Sequence, residues 1–290
     1  MLKSKLGRLV KRICVFLAVL YLGMLLCVFF AQRSLIYHPS QTPLDVMTKI
    51  AEAKGFRPWQ TDSGEYIGWK HEDDAAPKHA GLLIVHGNAG SAIDRLDYGN
   101  ALGRVEPLDV YVLEYPGYGA RPGSPSQRSF FAAASEAIDL LKGKGPLYIM
   151  GESLGTGVAA YLAGTYPGTI RGMLLIAPYD NLTDVAQNHM PIFPVKWMLW
   201  DRFPSETFLA NYHGPVAMLF AGQDIIVPNR FGHKLYDAYQ GPKTFWQIAD
   251  AGHNDLMDQP DAFWSELDAF WRTNAVLNAN ATPAASPGAR

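Results

Sequence analysis

Cysteine is nearly absent: the 290 residues contain two, Cys14 and Cys27. Both lie in one apolar stretch near the amino terminus, so the rest of the chain can form neither an internal disulfide nor a thiolate metal site. Acid is missing from the first 33 positions, which hold six cations: Lys3, Lys5, Arg8, Lys11, Arg12 and Arg33. The remainder carries 19 cations against 27 acids, a net charge of −8 hidden inside a total of −2. An acidic body of this kind excludes the basic surface that nucleic-acid phosphates reward. Metal-ligand spacing is lacking too. His38, His71 and His79 are scattered, and there is no H-E-x-x-H. Gly and Pro, at 27 and 20 residues, are too sparse and too aperiodic for a collagen-like or low-complexity chain. No internal repeat is visible. The 14 Tyr, 14 Phe and 7 Trp supply the apolar area that an ordered domain needs.

Charge is also absent from residues 13–31. As a helix this stretch spans about 28 Å, close to the hydrocarbon thickness of a bilayer. A secretory signal has a core of about 7–15 residues and small side chains at its cleavage site. Here the core is longer, and it ends Val28-Phe29-Phe30-Ala31. Cys27 follows Leu26, which disfavours lipoprotein processing. The stretch reads as an uncleaved anchor whose membrane partner is the lipid bilayer. Five cations just before it predict a cytoplasmic amino terminus, with the body on the periplasmic, lumenal or extracellular side.

Beyond the anchor, residues 34–54 read as a linker with one short helix. Apolar runs of strand length follow at 66–70, 81–85, 109–115, 147–150, 173–176, 216–220 and 244–248. Helical patterns fall near 91–103, 126–142, 155–165, 229–240 and 260–272. Strands without polar alternation, separated by helices, predict an α/β fold: a doubly wound, mostly parallel sheet covered on both faces. The expected division is 1–33 for membrane attachment, 34–273 for one domain and 274–290 for a disordered tail.

Gly151-Glu152-Ser153-Leu154-Gly155 fits G-x-S-x-G, and it joins a predicted strand to a small-residue helix. That strand–turn–helix context is what a nucleophile elbow requires. A serine hydroxyl needs a neighbouring base, and the base needs an acid to orient it. His253, in Ala251-Gly252-His253-Asn254-Asp255, follows the last predicted strand and is the expected base. Asp224, in Ala221-Gly222-Gln223-Asp224, also follows a strand and is the expected acid, with Asp180 the other position that could serve. Both Asp224 and His253 fall at carboxyl ends of strands, where doubly wound sheets place their sites. The backbone N–H groups of Leu154 and Asn88 are the expected oxyanion donors. His86, before Gly87-Asn88, reads as shaping that loop rather than reacting.

These motifs, with Tyr115-Pro116-Gly117-Tyr118-Gly119, resemble the α/β-hydrolase superfamily over about residues 32–273. The anchor, followed by Gln32-Arg33-Ser34-Leu35-Ile36-Tyr37-His38-Pro39, is similar to that of the membrane-anchored abhydrolase-domain serine hydrolases. These include lipid hydrolases and protein depalmitoylases. The depalmitoylases attach through lipidated cysteines on the cytoplasmic side, so their substrate is not carried over. The resemblance implies a cofactor-free serine hydrolase acting on an acyl ester or thioester, with a cap inserted at about 184–212. Amide hydrolysis on the same residues, or a non-catalytic scaffold with this fold, are the other readings. The cap segment is unusually apolar, and Phe193, Trp197 and Trp200 are expected to bind substrate. The alternative is that its aromatic residues simply bury themselves on the domain.

Overall fold

In the computed structural model, described for residues 2–71 and 80–279, the chain begins with a long helix, α1 (Leu2–Ile36). Its length and composition suffice to cross a membrane, and its apolar side chains stand largely exposed. A short strand β1 (His38–Pro39) and helix α2 (Leu44–Glu52) lead into the domain. Then come β2 (Phe56–Gln60), β3 (Tyr66–His71), β4 (Ala80–Val85), the short β5 (Ala89–Gly90) and α3 (Leu96–Gly103). The alternation continues through β6 (Leu108–Leu113), α4 (Gln127–Leu141), β7 (Leu147–Glu152), α5 (Leu154–Thr165) and β8 (Ile170–Ile176). Three short helices, α6 (Leu182–His189), α7 (Val195–Met198) and α8 (Ser205–Leu209), form the cap before β9 (Val216–Ala221). The chain then runs through α9 (Asn229–Ala238), β10 (Lys243–Ile248) and α10 (Asp261–Ala279).

Eight strands form one sheet in the order β10-β9-β8-β7-β4-β6-β3-β2. It is parallel except where β3 pairs with β2 and β6. Alternate residues of each central strand serve opposite layers. Leu83, Val85, Ile149, Met173 and Met218 join one core, while Leu82, Ile84, Met150, Leu174 and Leu219 join the other. Burial on both faces accounts for the unbroken apolar runs in the sequence. The pattern does not foretell β2, because Arg57 and Pro58 interrupt it. Its edge position tolerates a residue with no N–H to donate. Between β4 and β7 the sheet order reverses, which opens a crevice at the strand ends on either side.

Helix α1 is fastened to the domain rather than hanging from it. Arg33 pairs with Asp201 at 3.2 Å, and Tyr37 donates its hydroxyl to the same carboxylate at 3.0 Å. Burial, then the Asp201 charge, push the Tyr37 phenol well above its ordinary range, so it stays a donor. Gln32 accepts from the Trp200 N–H at 2.8 Å. Directly after α1, β1 pairs in parallel with β5, His38 opposite Ala89. At the other end α10 continues to Ala279, past the boundary expected at 273, and the rest of the expected tail lies outside the described residues. Trp271 of α10 is buried, stacks on Tyr148 at 4.6 Å and donates to the Met173 carbonyl at 3.2 Å. Trp271→Ala is therefore expected to destabilise the domain by about 3–5 kcal/mol, read from chemical unfolding in detergent.

Candidate active site

Ser153 occupies the turn between β7 and α5 with φ at 50°, a left-handed conformation that L side chains rarely adopt. The flanking glycines explain how the turn closes. A Cβ on Gly155 would stand 2.3 Å from the Val85 carbonyl and 2.5 Å from that of His86. One on Gly151 would come within 2.7 Å of the Gly155 carbonyl. Only glycine lets the start of α5 approach the end of β4 so closely. Burial drives the Tyr179 phenol well above its ordinary range, and this hydroxyl donates to the Leu154 carbonyl at 3.2 Å from the cap side.

His253 lies in the loop after β10, with Nε2 2.9 Å from Ser153 Oγ. Its Nδ1 is 2.6 Å from Asp224 Oδ2. A neutral imidazole in this setting donates Nδ1–H to the carboxylate and accepts the serine proton at Nε2. The other Asp224 oxygen accepts from the N–H groups of Ile226 at 2.9 Å and Val227 at 2.7 Å, which locks the carboxylate in place. The structure brings Asp224, not Asp180, to the histidine. Asp180 is buried instead against Lys234 and Asn181.

Leu154 is the first residue of α5, so its N–H is among those a helix leaves unpaired. Asn88 lines the same cavity as Ser153 and Leu154. The backbone of Asn88 is held from two sides: its carbonyl accepts from the N–H of His38, just after α1, at 2.9 Å and from the Tyr118 hydroxyl at 2.7 Å. The Asn88 side-chain amide donates to the Ile36 carbonyl at 2.9 Å. His86 is wholly buried against the rings of Tyr115 and Tyr118, in keeping with a loop-shaping part.

A family model described as alpha/beta hydrolase fold matches residues 82–208. The uncharacterized protein Rv2307c of Mycobacterium tuberculosis is 31% identical over 239 residues, covering 80% of this chain and 84% of that one. The chain belongs to the alpha/beta-hydrolase family. Lysophosphatidylserine lipase ABHD12 of Mus musculus is 30% identical over 211 residues, 64% of the hydrolase described above but only 52% of the mouse protein. The fold is shared with Pyrococcus furiosus esterase Pf2001, at a TM-score of 0.60 and 13% identity over 83% of this chain and 98% of the other. Est1E of Butyrivibrio proteoclasticus gives 0.57 and 14%, over 76% and 99%.

In the hydrolase, Ser153 opens onto a cavity of about 470 Å³, lined mainly by apolar side chains of the cap, α1 and the loop after β9. Its size suits a small-ligand site. Of the three cap residues expected to bind substrate, Phe193 lines the cavity. Trp197 and Trp200 do not. Trp197 is 87% exposed, and Trp200 turns outward to pack edge-on against Phe29 of α1 at 4.9 Å. A run of aromatic residues reveals that a face is apolar but not which side it turns toward a neighbouring element. Among the described residues, no group of three or more His, Cys, Asp or Glu side chains could hold a metal ion.

One supporting pair escaped the motif reading. Arg95 makes two hydrogen bonds to Glu152, at 2.7 and 3.1 Å, directly behind the serine. Burial alone would lower the Arg95 pKa, but the Glu152 carboxylate holds it above the ordinary value. Glu152 is one of the free positions of the motif, and nothing in the sequence links it to Arg95. Arg95→Met leaves a nearly buried carboxylate unpaired and is expected to cost about 3 kcal/mol. Pairing it with Glu152→Met should recover most of that loss, as measured by thermal unfolding of the two variants.

Proposed function

We propose that the hydrolase is a single-pass membrane serine esterase that cleaves lipid or other acyl esters, thioesters included. The observation that carries this reading is the hydrogen-bonded line Asp224–His253–Ser153, ending on an apolar cavity. The names of two similar proteins, a lysophosphatidylserine lipase and an esterase, support the same class of substrate.

Ser153 Oγ attacks the acyl carbonyl while His253 Nε2 takes its proton. Asp224 keeps the imidazole in the required tautomer and stabilises the imidazolium once it forms. As the carbonyl oxygen gains charge, the N–H groups of Leu154 and Asn88 stabilise it, and one such donor is worth about 3–4 kcal/mol. His253 then returns the proton to the leaving alkoxide or thiolate, and the alcohol or thiol departs. Water, deprotonated by the same histidine, cleaves the acyl-serine and releases the carboxylic acid.

The five cations before the apolar span support a cytoplasmic amino terminus, with the catalytic body across the membrane. Ser153→Ala should lower kcat by at least about 10⁴-fold and abolish labelling by a fluorophosphonate. Equal labelling of variant and wild type removes Ser153 from the mechanism. Protease added outside intact spheroplasts should digest the body. Protection until lysis reverses the assigned orientation.

A further inference from the structure

The cavity at Ser153 is incomplete without the anchor. Val28, Phe29, Gln32, Leu35 and Ile36 of α1 form one of its walls, opposite cap residues such as Met190, Phe193 and Met198. These α1 positions recur at helical spacing, so one stripe of the helix faces the cavity and the other faces outward. The cap follows α1 from its carboxyl end back to its middle. Tyr21 donates to the Ile192 carbonyl at 2.6 Å and stacks on Phe193 with ring centroids 6.3 Å apart. Tyr21 lies about 15 Å along the helix from Ala31, where the charge-free stretch ends. With α1 across a bilayer, the tip of the cap reaches hydrocarbon depth. There a backbone carbonyl without a partner would be costly, and the Tyr21 hydroxyl supplies the partner.

The outer surface of the cap and of the loop after β9 fits that placement. Ile192, Trp197, Trp200 and Ile225 are exposed, and each neighbours a residue that lines the cavity. An apolar rim continuous with an exposed apolar helix is unusual for a surface in water. Tryptophans at its edge suit the boundary between lipid and water. At about 470 Å³ the space lies in the lower half of the roughly 300–1,000 Å³ range of small-ligand sites, room for one acyl chain.

We propose that α1 and the cap together form a single-acyl-chain site that opens sideways into the bilayer, so that a membrane-dissolved fatty-acyl ester reaches Ser153 along the anchor. The proposal rests on the esterase reading above and on α1 spanning the membrane. It makes Val28 and Leu35 determinants of chain specificity and gives the anchor a part in substrate binding as well as attachment. The exposed tryptophans belong to the rim, not to the pocket.

The test uses the full chain reconstituted in phosphatidylcholine vesicles and compares palmitoyl and acetyl esters of one alcohol. Val28→Trp and Leu35→Trp fill the cavity from the α1 side and should lower the palmitoyl-to-acetyl ratio of kcat/KM by about tenfold or more. Leu26→Trp, on the same helix but outside the cavity lining, should change it by less than about twofold. A ratio unchanged in the first two variants, or lowered equally in all three, overturns the proposal. Palmitoyl ester dissolved in the enzyme's own vesicles should be cleaved faster than the same amount supplied on albumin, and equal rates overturn the sideways opening. Fluorophosphonate labelling of each variant separates this failure from that of the esterase reading, since a wild-type protein that does not label fails the latter.

Discussion

The start of α5 presses against the end of β4, and the site is organised by that contact. Gly155 has no Cβ to hold it away from the Val85 and His86 carbonyls. The approach forces Ser153 into its left-handed turn and lifts its hydroxyl out of the sheet edge. The same contact sets the Leu154 N–H beside the loop that carries Asn88. The other two side chains come from loops after β9 and β10, and their reach is fixed by the parallel order β7-β8-β9-β10. Enlarging Gly155 would shift the last carbonyl of β4 and the first of the loop after it, and with them the segment that carries Asn88.

A second dependence runs through α1. The end of α1 and the residues just after it are zipped to the Asn88 loop by the β1–β5 pair and by the Asn88 bonds to Ile36 and His38. Farther back along α1, Gln32 and Arg33 hold the cap through Trp200 and Asp201. Helix α1, the cap and the Asn88 loop are thus one connected unit. Movement of the helix relative to the domain would disturb both the cavity wall and the loop that carries Asn88.

Much of this was legible in the sequence, for identifiable reasons. Central strands buried on both faces write long apolar runs, so β4, β6, β7, β8 and β9 were all expected near their observed places. Ser153 and Asp224 each follow such a strand, His253 follows the edge strand β10, and a glycine stands within two residues of each of the three. Legibility ended where tertiary contact decides. Pro58 concealed an edge strand that tolerates it. Trp197 and Trp200 read as pocket residues because periodicity cannot tell which side of a short cap helix meets α1. Arg95 and Glu152, far apart in sequence and with no motif joining them, meet only in the folded chain. The largest gap concerns the anchor: composition marked it as a span, yet gave no sign that its last turns would line the cavity.

The central claim is that Ser153 carries the acyl group during turnover. The most direct measurement mixes the full chain with a palmitoyl ester, quenches in acid within the first turnover and maps the peptides by mass spectrometry. A palmitoyl adduct on the peptide containing Ser153, lost when the quench is delayed beyond turnover, is the predicted result. Product release with the adduct on another residue, or with no adduct at any quench time in a variant whose deacylation is blocked, would contradict the account.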